Sequence, residues 1–189
     1  MKKNERGQAM VELAVCLPLI ILVLLGVVEV SYALLDQHVV TKLTREGSNL
    51  ISRDASLQDA AVAMTKMGTR PVDFNTSARV IFSVIKQVAT SGASNFGKPV
   101  LYQRYSYGAI AGTSAITTRG TGSFSGAPDY QANNSDNDTN LQITNLPSGL
   151  LINGGMLYVT EIYTRHDLIT PFDRFGVQLP TTLYSIAYF

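Results

Sequence analysis

From residue 13 to residue 28 the chain reads Leu-Ala-Val-Cys-Leu-Pro-Leu-Ile-Ile-Leu-Val-Leu-Leu-Gly-Val-Val, with no charged side chain. These 16 residues rise roughly 24 Å as a helix, short of a hydrocarbon core of about 30 Å. Apolar positions continue past Glu29 through Tyr32, Ala33, Leu34 and Leu35, so the full stretch is expected to span a bilayer. Beyond it Leu35, Val39, Val40, Leu43, Leu50 and Ile51 recur at spacings of a helix face, while Asp36, Lys42, Arg45 and Glu46 take other faces. One helix is therefore predicted over 9–53, its first half in lipid and its second half packed on a domain. Gly47 weakens it by about 1 kcal/mol relative to Ala. Ser56 with Asp59 three residues on forms a capping-box-like start for a second helix, which Gly68 ends.

After Pro71 the period falls to two. Residues 79–88 put Val80, Phe82, Val84 and Val88 on one face and Arg79, Ser83 and Gln87 on the other, a half-buried strand. Residues 99–108, 156–167 and 181–189 have similar patterns, rich in Tyr and β-branched residues. The first two strands read as a loose hairpin, and the four together as a small, mainly antiparallel sheet. Helices first and strands later make an α+β fold. A polar insertion at about 109–150 separates the second and third strands. From Ala111 to Asn140, 21 of 30 residues are Gly, Ser, Thr, Asn, Asp or Pro, and the large apolar groups are Ile116, Phe124 and Tyr130. Little burial is expected there, and removing 113–138 is expected to leave the fold intact; the segment reads as a flexible loop or an outward contact surface.

Composition narrows the function. Across 189 residues, 15 Lys and Arg stand against 14 Asp and Glu, a formal charge of +1, which disfavours a nucleic-acid partner. Charged residues are 15% of the chain, below the roughly 25% of soluble domains, in keeping with a membrane segment. Cys16 is the only cysteine, and His38 and His166 the only histidines, so neither a disulfide framework nor a Cys/His metal centre is expected. Lys2, Lys3 and Arg6 outnumber Glu5 ahead of the apolar run, which predicts a cytoplasmic N-terminus and an extracytoplasmic remainder.

The segment admits three readings: a cleaved secretory signal with Ser31-Tyr32-Ala33 as its cut site, a plain signal anchor, or an assembly helix of the pilin type. Glu12, a carboxylate at the head of the apolar run, bears on the choice. If Gly7 closes the leader, Gln8 becomes the first mature residue and Glu12 the fifth. Gly7, Val11, Glu12, Ala14, Pro18, Gly26 and Glu29 stand in an arrangement that resembles TadE-like proteins, minor pilins or pseudopilins of the tight-adherence (Tad, or Flp) pilus system. The resemblance covers roughly the first 45 residues, with Leu13 where an aromatic Phe is more usual. It implies a leader over 1–7 cut by a prepilin peptidase between Gly7 and Gln8, and a stalk helix over 8–53. It further implies assembly with other pilins and pseudopilins on an inner-membrane platform, with no catalytic residue and no cofactor. The outer α+β domain takes 54–189.

Physical chemistry supports a purpose for Glu12. A new amino terminus at Gln8 is positive, and a neighbouring helix one axial step away can set its Glu12 beside it. Breaking one partner of such a pair, where dry, costs about 3–5 kcal/mol. Pro18 removes one helical hydrogen bond and predicts a kink, and Gly26 leaves a smooth patch for helix packing; with Glu12 and Glu29 these are the candidate assembly residues. Other motifs are weaker. Asp136-Asn137-Asp138-Thr139-Asn140 is oxygen-rich but lacks the glycine and the terminal glutamate of a calcium loop. His166-Asp167 lacks a Gly-x-Ser-x-Gly partner and reads as a surface pair at a strand end. The expectation is a non-enzymatic assembly component, the alternative a secreted or anchored binding domain with an ordinary signal.

Overall fold

The computed structural model describes residues 5–147, 149–170 and 180–189; Lys2 and Lys3 of the basic leader lie outside the described residues. Helix α1 runs over Glu5–Ser52 and helix α2 over Leu57–Met67. Four strands follow, β1 (Ala78–Gln87), β2 (Pro99–Gly108), β3 (Met156–Arg165) and β4 (Thr182–Tyr188), in the spatial order β2-β1-β3-β4 with every neighbouring pair antiparallel. The fold is α+β. Its elements follow the periodicities of the sequence, including the cap of α2, where Ser56 Oγ accepts the Asp59 N–H at 3.1 Å. α1 continues through Pro18 without interruption.

Two apolar clusters sandwich the sheet. On one face Val80, Phe82 and Val84 of β1 and Ile162 of β3 pack under Val40, Leu43 and Ile51 of α1 and Leu57, Ala60 and Met64 of α2. Gly47 sets the closeness of that contact: a Cβ there would lie 2.7 Å from Thr160 Cγ2 on β3. The helical cost of a glycine at this position is thus matched by a close approach of helix to sheet. Ser48 Oγ and Gln37 Nε2 tie the same helix to the backbone oxygens of Ala187 and Tyr184 in β4.

The opposite face differs from the expectation. β1 is not half-buried; Ile81, Ser83 and Ile85 on its second face are as enclosed as Val80 and Phe82 on its first. The covering layer is the insertion. Ile116, Ala132, Leu141 and Ile143 form a second cluster with Ile85, Val100, Leu101, Leu157 and Val159, and isolated bridges pair Gln131 with Gln103 and Gln142 with Val100 along the outer edge of β2. The segment that looked too polar to bury anything buries its few apolar groups and meets its polar ones by hydrogen bonding. Midway along it, Tyr130 stacks on Tyr105 with ring centroids 4.2 Å apart, and the Pro128 carbonyl accepts the Gln58 N–H of α2 at 3.2 Å.

Candidate functional site

The first half of α1 is largely exposed. From Gly7 through Leu24 every residue is exposed, and large apolar side chains such as Met10 and Val15 are 75% and 71% accessible. α1 is the one helix, among the described residues, long and apolar enough to cross a membrane. Such an apolar surface is costly in water and matches lipid or other helices. On it lie most of the candidate assembly residues. Gly7 and Gln8 sit in the first turns, and the Gln8 amide donates to Glu12 Oε1 at 3.0 Å across one helical turn. That bond leaves the exposed carboxylate further accepting capacity for a second partner. Gly26 is half-buried, and Cys16 is exposed among apolar neighbours.

Glu29 is placed differently from the other three. It is 2% exposed, buried against the segment that follows β3. The N–H groups of Ile169 and Thr170 donate to its Oε2 at 3.1 and 2.8 Å, and the Thr170 hydroxyl donates to the same oxygen. His166 completes the cluster, its Nε2 3.5 Å from Glu29 Oε1 and its Nδ1 2.7 Å from Asp36 Oδ2. Glu29 and Asp36 are seven residues apart, two turns of one helix, so both carboxylates face the imidazole between them. His166 is 3% exposed; the surface reading of the His166-Asp167 pair fails for His166 because α1 closes over it. Burial of so many polar groups is tolerable because nearly all of them find partners.

A second buried carboxylate anchors the insertion. Glu161 of β3 is fully enclosed. It accepts the Ser114 hydroxyl, the Ala115 N–H at 2.7 Å and the Tyr184 hydroxyl at 2.8 Å. Arg104 of β2 reaches Ser83 Oγ, Ser114 Oγ and the Ile116 carbonyl. Burial, and then the carboxylate to which it donates, push the Tyr184 phenol well above its ordinary range, so it stays a donor. Burial lowers Arg104, with Glu161 opposing the effect.

The oxygen-rich stretch at 136–140 has its groups engaged. Asp136 takes Lys86 Nζ at 3.1 Å and the Thr90 hydroxyl at 2.7 Å, and Asp138 Oδ1 accepts the Asn140 N–H. Asn95, fully buried, donates to the carbonyls of Ser135 and Asp138. The ammonium of Lys86 sits where a metal would compete for Asp136, and the loop works as a structural knot.

Sequence reasoning missed the Glu29–His166–Asp36 cluster and the Glu161 anchor. The available signal for the first was a pair of acids two turns apart on an otherwise apolar stretch of helix. For the second it was a lone Glu among apolar and β-branched residues in a strand.

Comparison with known proteins adds one result. The sequence model of the family described as TadE-like protein matches residues 7–49. No curated protein and no solved structure matches the chain. The matched residues begin at Gly7, take in Glu12, Pro18, Gly26 and Glu29, and stop just after α1 reaches the sheet at Gly47. Along its N-terminal helix the chain is similar to TadE-like proteins.

Proposed function

We propose that the chain is a minor pilin or pseudopilin that enters Tad pilus assembly through its N-terminal helix. The observation that carries this reading is the unbroken exposure of Gly7 through Leu24 on a helix whose other end is built into a folded domain. Prepilin peptidase cuts between Gly7 and Gln8, and the helix packs with other pilins on the inner-membrane assembly platform. The N-terminus faces the cytoplasm and the domain lies outside. The span runs from about Met10 to Val28, near the 30 Å of a hydrocarbon core at about 1.5 Å per residue. It ends at Glu29, earlier than hydropathy alone suggested, because that carboxylate is already solvated by backbone of the domain. Glu12 pairs with the amino terminus of a neighbouring subunit, and no step is catalytic.

The secretory alternative fits less well. A cut after Ala33 discards Glu29 and leaves the Ile169 and Thr170 amides and the Thr170 hydroxyl without their acceptor, a loss that costs about 1–3 kcal/mol for each buried group.

Intact mass of the mature chain from a peptidase-positive host tests the reading. A chain beginning at Gln8 supports it, and one beginning at Leu34 overturns it. Glu12→Gln then separates assembly from insertion. The cleaved variant should insert and fold yet fail to co-purify with partner pilins; wild-type assembly by that variant would return Glu12 to the role of an interfacial boundary residue.

A further inference from the structure

A cleft of about 880 Å³ opens beside α1 just past its exposed section. Tyr32 and Leu35 of α1, Arg70 from the α2–β1 connection, Arg165 at the end of β3, and Asp167 and Ile169 after it contribute to its walls. Its depth follows from the membrane reading above, on which this inference rests. If Val28 is the last residue in hydrocarbon, Tyr32 and Leu35 lie roughly 6 and 10 Å further along the axis. A headgroup layer is about 5–8 Å thick on each side of the core, so the cleft opens at headgroup depth at Tyr32 and reaches just above it at Leu35.

Its chemistry is divided in the same way as a phospholipid. Tyr32, Leu35 and Ile169 are 47%, 58% and 56% exposed and form an apolar rim, with a tyrosine at the depth where amphipathic rings settle. The guanidinium groups of Arg70 and Arg165 suit phosphate oxygens, which they can grip in a planar, two-point manner. Three carboxylates also face the cleft. Asp36 is occupied by His166, and Asp73 by the Asn75 N–H and the Thr76 hydroxyl. Asp167 has no hydrogen bond to its side chain among the described residues. A ligand matched to this set carries one phosphate, one cationic donor beside it, and acyl chains that run back along the exposed face of α1.

We infer that the cleft binds the headgroup of a phospholipid bearing a primary ammonium, of the phosphatidylethanolamine class, with its phosphate on Arg70 and Arg165 and its ammonium on Asp167. A choline headgroup has no N–H to donate to Asp167, and a glycerol headgroup has no cation. Bound there, the lipid fills the angle between stalk and domain and fixes the height of the domain above the bilayer.

The test uses the full chain, extracted in detergent and exposed to equimolar phosphatidylethanolamine, phosphatidylcholine and phosphatidylglycerol, with retained lipid read by native mass spectrometry. The expected result is one phosphatidylethanolamine per chain, preferred about tenfold over phosphatidylcholine, the scale of one lost charge-assisted hydrogen bond. Arg70→Gln with Arg165→Gln should abolish retention of all three lipids, and Asp167→Asn should erase the preference while keeping phosphate binding. Soluble glycerophosphoethanolamine competing for the wild-type cleft gives the same answer without any variant. Equal retention of all three lipids, or phosphatidylglycerol retained above phosphatidylethanolamine, overturns the inference. Carbonate extraction separates the two levels: a chain washed from the membrane defeats the membrane reading itself, whereas an embedded chain with no lipid preference defeats this inference alone.

Discussion

Glu29 Oε2 accepts the backbone N–H of Thr170 at 2.8 Å, across 141 positions of sequence. The contact joins α1 to the segment behind β3 and marks where the helix passes from its exposed apolar half into the domain. Asp36 repeats the connection two turns later through His166. The helix is thereby held to the domain by polar bonds at its point of entry and by apolar packing above it.

Glu29→Ala removes the acceptor for two amides and a hydroxyl and the carboxylate that lies 3.5 Å from the His166 imidazole. The expected loss is about 3–5 kcal/mol of domain stability, read as a lower midpoint in thermal or denaturant unfolding of the detergent-solubilised chain. Glu12→Gln, at an exposed side chain whose hydrogen bond among the described residues is to Gln8, should leave the midpoint unchanged. Equal effects from the two substitutions would contradict the different settings of these carboxylates.

Deleting residues 113–138 should now unfold the outer domain rather than spare it. The deletion removes Ser114 and Ala115, which solvate Glu161, together with Ile116 and Ala132 from the second apolar cluster. Glu161 would keep only the Tyr184 hydroxyl, and breaking a buried charge's pairing costs about 3–5 kcal/mol before any lost apolar contact is counted. Limited proteolysis decides the matter, a resistant domain surviving the deletion being the contrary result.

Helices, strands and their ends were legible because each rests on a period or a cap within about ten residues. The covering of β1 was partly legible. Val80, Ile81, Phe82, Val84 and Ile85 form a nearly continuous apolar run, the mark of a strand buried on both faces, which a strict alternation reading divides wrongly. What covers it was not legible, because Ser114, Asn95 and Asn140 look like loop residues in sequence. Their value lies in bonds to Glu161, to Ser135 and to Asp138, groups two to 47 positions away. The same holds for Glu29, whose partners arrive only when the chain returns past β3. Apolar content is visible residue by residue; polar satisfaction is visible only in three dimensions.

Gly47→Ala pits two effects against each other. Helix propensity favours Ala by about 1 kcal/mol, but the new Cβ would sit 2.7 Å from Thr160 Cγ2, and overpacking typically costs about 1–3 kcal/mol. A net loss is expected, with partial recovery in the double variant with Thr160→Ser, which deletes the opposing methyl. An unfolding midpoint raised by Gly47→Ala alone would show that the helix–sheet contact yields easily.

Acid should loosen the knot around Asp136. The hydrogen bond from Thr90, followed by Lys86, holds this carboxyl below its ordinary range. Its contribution to stability is therefore fully present above the unfolded value of about 3.9 and is lost as pH falls through the lower folded value. Amide hydrogen exchange at Asn95, whose N–H donates to the Asp136 carbonyl, should quicken below about pH 4 in the wild type. Asp136→Asn should already exchange fast at neutral pH, and an exchange rate that ignores both changes would remove Asp136 from the knot.

The clamp at Glu29 also makes the exposed half of α1 a lever. Gln8 lies 21 residues below it, roughly 31 Å along the axis at about 1.5 Å per residue. A rotation of about 10° at the clamp would sweep the end of the helix sideways by roughly 5 Å, about one helical pitch. Aim at one end and reach at the other are thus the same quantity. Loosening Glu29, His166 or Asp36 would scatter the positions that Glu12 can reach without altering a single residue of the exposed apolar half of α1.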